Sequence, residues 1–155
     1  MKVVVTGGAG FVGSNRLRHL EHVPEVTETI VLDDMSFGFR ENLDGVRTTI
    51  VEGSILDETL LEELMTGAGA VVHLAARSSV PRSVAYPLAA HEANATGTVR
   101  VLEAARRAGD VHVVVASSSS VYGSNDVLPK HEGLSTRPVS PYAASKLASE
   151  AYTLA

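Results

Sequence analysis

The stretch Thr6-Gly7-Gly8-Ala9-Gly10-Phe11-Val12-Gly13 limits the possible folds of this chain more than any other. It follows the apolar run Val3-Val4-Val5 and precedes a segment with helical patterning, so glycines spaced G-x-x-G-x-x-G fall at a strand-to-helix turn. Glycine permits the tight turn, lets backbone approach phosphate oxygens, and leaves N–H groups open at the positive end of the next helix. A dinucleotide pyrophosphate suits such a turn. A plain tight turn is the alternative reading, and the rest of the chain decides between them.

Short runs rich in valine and isoleucine recur at Val3–Val5, Thr29–Leu32, Thr48–Val51, Ala70–Leu74 and Val111–Ala116. They are continuous rather than alternating, as parallel strands covered on both faces require. Helical patterns lie between most of them, at Phe11–His22, Asp57–Met65 and Pro87–Ala108, the last opening on proline and stopping at Gly109. Asp57 reads as a helix N-cap. This alternation predicts right-handed crossovers and a doubly wound α/β parallel sheet of the Rossmann type. At 155 residues, 1–155 is expected to form one dinucleotide-binding domain.

With no cysteine, disulfides, thiol catalysis and thiolate metal sites are excluded. A net charge of -5 without a basic cluster argues against a nucleic-acid partner and for a small molecule. No apolar run approaches the roughly 18 residues of a membrane span, and the N-terminus lacks signal-peptide character. The expected location is the cytoplasm. The six histidines show no metal-ligand spacing, although His19 and His22 fall on one predicted helix face. His73 reads as a satisfied core or surface histidine, and no metal is expected.

Asp33 lies 20 residues past Gly13, the spacing at which a carboxylate accepts hydrogen bonds from the adenosine ribose. A negative charge there disfavours the extra phosphate of NADP, which points to NAD, while Arg40 keeps NADP open. The alternative is that Asp33 and Asp34 open a polar loop. The loop Ser36–Arg47 could fold over the ribose, which makes Asp34, Ser36 and Gly38 cofactor-binding candidates. After the fourth strand, His73-Leu74-Ala75-Ala76 places small residues at a strand's carboxyl end, followed by Arg77-Ser78-Ser79.

The fifth strand leads into Ser117-Ser118-Ser119-Ser120-Val121-Tyr122-Gly123, and the last helix opens with Ser140-Pro141-Tyr142-Ala143-Ala144-Ser145-Lys146. Tyr142 and Lys146 are four apart and share a helix face. Ser140 as cap and Pro141 at the first helical position put Tyr142 in the first turn, near the positive dipole end. A nearby ammonium and that dipole favour a phenolate, so Tyr142 is a candidate general base. Packing on a helix surface is the alternative for such a pair in isolation.

Taken together, Thr6–Gly13, His73–Ala76, Ser117–Gly123 and Tyr142–Lys146 resemble the NAD-dependent sugar epimerase/dehydratase family of extended short-chain dehydrogenases/reductases, with UDP-glucose 4-epimerases the most similar members. The resemblance runs the length of the chain. It implies that Gly7, Gly10 and Gly13 form the pyrophosphate turn, that Phe11 and Val12 supply helix-start N–H groups, and that Asp33 holds the adenosine ribose. Ser54 and Ile55 would flank the adenine. Leu74, Ala75, Ala76 and Arg77 would line the cofactor cleft, with Asn94 ordering it. Ser118 would hydrogen-bond the sugar oxygen, and Lys146 would bind the nicotinamide ribose.

The implied activity is 4-epimerisation of a nucleotide-sugar, most simply a UDP-hexose, through a transient 4-keto sugar with Tyr142 as base. Dehydratases of the family carry an acidic pair where this chain has Ser119 and Ser120; decarboxylase and reductase chemistry stay open. Two departures stand out. Ser54 replaces the family's usual aspartate after Gly53, which would weaken cofactor binding by up to about 1.5 kcal/mol. The chain also stops at Ala155, where family members continue into further strands and a C-terminal substrate domain. The expectation is therefore a sheet edge covered by a homodimer or a partner chain. A non-catalytic NAD-binding module or half of a split enzyme is the alternative function.

Overall fold

A computed structural model describes residues 1–109 and 111–155. Within these, the chain divides into two compact units, Met1–Ala75 with Arg100–Val115, and Ala76–Val99 with Ala116–Ala155.

The first unit holds a five-stranded sheet built from β1 (Lys2–Thr6), β2 (Glu28–Asp33), β3 (Thr49–Glu52), β4 (Ala68–His73) and β5 (His112–Val115). All pairs are parallel, in the order β3-β2-β1-β4-β5, so the winding reverses between β1 and β4. Ligands bind sheets of this kind at the carboxyl ends of the strands flanking that reversal. All five predicted strands form, with ends shifted by one or two residues.

The continuous apolar runs feed two cores. Val4, Ile30, Leu32 and Val71 face helix α2 (Glu58–Met65) through Leu61, Leu64 and Met65, together with Val101 and Ala104. Val3, Val5 and Val31 point the other way, onto Leu17 and Leu20 of helix α1 (Phe11–Leu20). Register partners such as Val4 and Ile30 share a face, so the period of two along each strand assigns its residues to alternate cores. Val114 of the edge strand β5 is half exposed on the face shared with its partner Val72.

Helix ends follow local chemistry. Asp57 caps α2 by accepting from the Leu60 N–H at 3.1 Å, as its position predicts. Helix α1 ends at Leu20, short of the expected His22, so His19 and His22 do not share a helix face. Among the described residues no cluster of histidine and carboxylate groups could hold a metal.

The second unit is helical. It contains α3 (Val80–Ala85), α4 (Pro87–His91), a π-helical turn (Glu92–Thr96), the start of α5 (Gly97–Arg107), a 3-10 turn (Ser119–Tyr122) and α6 (Pro141–Leu154). The predicted helix Pro87–Ala108 is thus continuous in sequence but wound in three segments, since the π turn inserts an extra residue per turn. Helix α3 is not among the predicted helices: it is only six residues long and Pro87 follows it closely, although Ser79 as N-cap and Pro81 in the first turn are a start signal.

Two stability predictions follow from these contacts. Asp57→Ala lowers unfolding free energy by ~1 kcal/mol, visible as a lower urea midpoint at unchanged slope. A Cβ on Gly8 would lie 2.7 Å from both γ-carbons of Val31. Gly8→Ala is therefore expected to destabilise by ~1–3 kcal/mol, and Gly8→Ala with Val31→Ala to lose less than the sum of the two single changes.

Candidate functional site

The glycine turn joins β1 to α1 in a space where side chains cannot fit. Gly7 has φ +71, and a Cβ there would meet the Ala75 nitrogen at 2.6 Å, so the turn lies on the backbone leaving β4. A Cβ on Gly13 would meet the Gly7 carbonyl oxygen at 2.4 Å, which seats the first turn of α1 directly on the loop. Gly10 is the N-cap and offers no side-chain cap, so the first-turn N–H groups, those of Phe11 and Val12 among them, are uncapped by side chains. Gly8 was not singled out from sequence; its need to lack a side chain comes from Val31, on a neighbouring strand.

The carboxylate of Asp33 organises the next loop. Its Oδ2 accepts the Ala9 N–H at 2.9 Å and its Oδ1 accepts the Met35 N–H at 3.0 Å. Burial raises its pKa above the usual aspartate value, an effect the two N–H bonds oppose and the neighbouring Asp34 charge reinforces. The Ala9 carbonyl accepts in turn from the Phe39 N–H and from Asn42 Nδ2. Gly38 is required at this point, since a Cβ there would press on Ala9 Cβ at 2.7 Å and on Asp33 Oδ1 at 2.9 Å. Asp34 Oδ1 accepts from the Ser36 N–H and hydroxyl, closing the exposed bend. The loop Ser36–Arg47 does fold back, onto the glycine turn through Ala9, and contains a 3-10 turn at Arg40–Leu43. Arg40 pairs with Glu52 at 3.2 Å.

After β3, Ser54 Oγ accepts the Leu56 N–H, and the Ile55 side chain lies in the α2-side core, leaving only its backbone for a ligand. At the end of β4, Thr6 Oγ1 and His73 Nδ1 lie 2.6 Å apart between register partners, and Thr6 Oγ1 also accepts the Ala75 N–H at 3.3 Å. His73 is thus a buried, satisfied histidine, as its sequence position suggests. Leu74 turns its side chain toward the α1-side core.

In the second unit, Tyr142, Ser145, Lys146 and Ser149 form the buried stripe of α6. Ser140 caps this helix by accepting the Ala143 N–H, and Pro141 stands in its first turn. Lys146 is 5% exposed, and burial holds its pKa below the usual lysine value while Glu150 one turn on partly restores it. The 3-10 turn Ser119–Tyr122 packs against α6. Its N-cap is Ser118, whose Oγ accepts the Ser120 N–H at 3.2 Å, an acceptor role that leaves the hydroxyl hydrogen able to donate.

Asn94 sits inside the π turn and is buried. Its Oδ1 accepts the Arg77 N–H at 2.7 Å, and its Nδ2 donates to the Arg77 carbonyl and to Ser145 Oγ. Thr98 and Ser149 both donate to the Asn94 carbonyl. Asn94 therefore fixes the strap after Ala76 and joins it to α6; the sequence shows the residue but not the π turn that aims it inward.

A family model for the NAD dependent epimerase/dehydratase family matches residues 3–155. A UDP-glucose 4-epimerase of Azospirillum brasilense is 39% identical over 153 residues, 96% of this chain and 42% of that relative. Two solved structures superpose with a TM-score of 0.92: a dTDP-glucose 4,6-dehydratase of Streptomyces venezuelae with NAD bound, at 42% identity, and a UDP-glucose 4-epimerase of Thermotoga maritima with UDP-glucose, at 34%. They are covered to 50% each, and this chain to 98% and 99%. The chain thus spans about half the length of the relatives it matches. With a parallel sheet reversing at β1 and β4 and a glycine turn at that reversal, this chain belongs to the NAD-dependent epimerase/dehydratase family.

Proposed function

We propose that this chain holds NAD and supplies the base of a nucleotide-sugar 4-epimerase, with a UDP-hexose as substrate. The residues present fit the dinucleotide. The turn packs too tightly on backbone at Gly7 and Gly13 to admit a Cβ, the first-turn N–H groups of α1 have no side-chain cap, and a buried carboxylate, Asp33, stands at the end of β2. Gly7, Gly10, Phe11, Val12 and Gly13 would hold the pyrophosphate, and Asp33, Asp34, Ser36 and Gly38 the adenosine ribose. Ser54 and Ile55 would flank the adenine, while Leu74 to Arg77 and Asn94 would line the cleft. The Asp33 carboxylate would repel a 2′-phosphate at the ribose, and Arg40 is paired with Glu52, which together favour NAD over NADP.

The observation that carries the catalytic reading is the buried Tyr142 and Lys146 one turn apart on α6, with the serine-led turn packed on that helix. Bound NAD would supply the redox chemistry, accepting hydride from C4 of the sugar and returning it to the opposite face of the 4-keto sugar. Tyr142 removes the proton of the sugar 4-hydroxyl and gives it back after rotation. Ser118 donates its hydroxyl hydrogen to the same sugar oxygen. Lys146 would bind the nicotinamide ribose and carries its positive charge one helical turn from Tyr142.

Elimination of water needs a further acid and base near the sugar. From Ser117 to Gly123 the only ionisable side chain is Tyr122, since Ser119 and Ser120 follow Ser118, and this favours epimerisation over dehydration.

Tyr142→Phe is expected to lower epimerisation of UDP-glucose by at least ~100-fold while NAD affinity, measured by calorimetry, stays within about threefold. Unchanged turnover would overturn the base assignment. Lys146 supplies a second test. Because burial lowers its folded pKa, the stability contributed by its neutral amine is present above the ordinary value of 10.5 and lost as pH falls through the lowered one. At neutral pH the buried cation opposes folding. Lys146→Met should therefore raise the thermal midpoint by ~2–4 °C, a gain that shrinks toward pH ~10, and should weaken NAD binding about tenfold.

A further inference from the structure

Every backbone N–H in the first turn of α6 can be accounted for, and one of the partners comes from another helix. Pro141 has none; the Ala143 N–H goes to Ser140 Oγ and the Ala144 N–H to the Ser140 carbonyl. The Tyr142 N–H, which has no intrahelical acceptor, is taken at 3.0 Å by Ser83 Oγ from α3. Ser83 is 2% exposed, and its hydroxyl hydrogen is already committed to the Val80 carbonyl at 2.7 Å. That bond fixes the hydroxyl rotor and turns a lone pair toward Tyr142.

The other side of the same residue is held as well. The Tyr142 carbonyl accepts Ser145 Oγ at 2.8 Å, and Ser145 Oγ accepts Asn94 Nδ2 at 2.9 Å. The backbone of Tyr142 is thus clamped between α3 and the π turn. A phenolic oxygen several bonds from its Cα moves by ångströms when the first turn of the helix rotates or frays, and proton transfer tolerates little such movement.

We infer that Ser83 is a positioning residue: its hydroxyl fixes the backbone of Tyr142, and through it the place where the phenol meets the substrate. The inference rests on the reading of Tyr142 as the base. It makes α3, which carries no group of the proposed chemistry, part of the active-site framework.

The test uses full-length protein and the variants S83A, S83T, Y142F and D57A, with UDP-glucose and NAD as the probes. In S83A, hydrogen exchange at the Tyr142 amide is expected to accelerate about tenfold or more, while the Ala143 amide, capped by Ser140, keeps its protection. Over the same change kcat falls about tenfold, with KM for the sugar nucleotide and NAD affinity within about twofold. S83T, which keeps the hydroxyl, restores exchange and kcat. D57A, a cap lost elsewhere, lowers stability and leaves kcat unchanged.

Accelerated exchange in S83A with unchanged kcat reduces Ser83 to a helix cap and overturns the proposal, as does an unaltered Tyr142 exchange rate. If Y142F retains turnover, the base assignment falls and the positioning role with it. If Y142F is inactive and S83A fully active, the positioning role alone falls. Should S83T be too bulky for the buried site, the exchange contrast between Tyr142 and Ala143 in S83A, read with kcat, decides the matter without it.

Discussion

The first unit depends on three places where backbone touches something that a single methyl group would displace. Gly7 lies on the Leu74–Ala75 peptide, Gly8 on Val31, and Gly13 on the Gly7 carbonyl. These contacts draw the β1–α1 turn onto the ends of β2 and β4, the strands on either side of β1. Helix α1 consequently starts at the loop with its N–H groups uncapped by side chains. The anion binding proposed for this turn would thus be a by-product of close packing: a chain able to fold it so tightly already presents the free N–H groups that suit a pyrophosphate. Asp33 extends the arrangement by tying Ala9 to the end of β2, which leaves the same carboxylate beside the expected ribose.

Features set by neighbours in sequence were legible before the fold was known. The caps Asp57 and Ser140, the five strands and the fingerprint Gly7, Gly10 and Gly13 follow from local rules acting over a few residues. Features set by distant neighbours were not. Nothing near Gly8 announces that Val31 will press on it, and nothing near Ser83 announces that an N–H far along the chain will need its oxygen. The π turn is a third case. The apolar pattern from Pro87 onward is that of one continuous helix, and the extra residue at Glu92–Thr96 becomes intelligible only with Asn94 bonded to both Arg77 and Ser145.

The two units are held together internally by different means. In the first, valine, isoleucine and leucine from alternating strand positions fill two apolar cores, and area buried decides the packing. In the second, Asn94, Thr98, Ser145, Ser149 and Ser83 are buried and linked by hydrogen bonds. Among the described residues no buried side-chain nitrogen or oxygen lacks a partner, so this polar interior avoids the penalty of an unmet group.

That difference matches what the proposed function asks of each unit. Apolar contact fixes how closely two elements approach but only loosely how one is rotated about its axis, since similar areas are buried over a range of rotations. A cofactor cradle made of backbone tolerates this, because the sheet's hydrogen bonds already set the position of the turn. The proposed base, Tyr142, would not: its reach depends on the rotation of α6, and hydrogen bonds, being directional, fix rotation. Serines at 145 and 149, one turn apart, bind the stripe that carries Tyr142 and Lys146 to the π turn, while Ser83 holds the first turn from α3. Exchanging these small hydroxyls for alanine would keep most of the apolar packing and remove the orientation, so their placement is better understood as a constraint on geometry than as a source of stability.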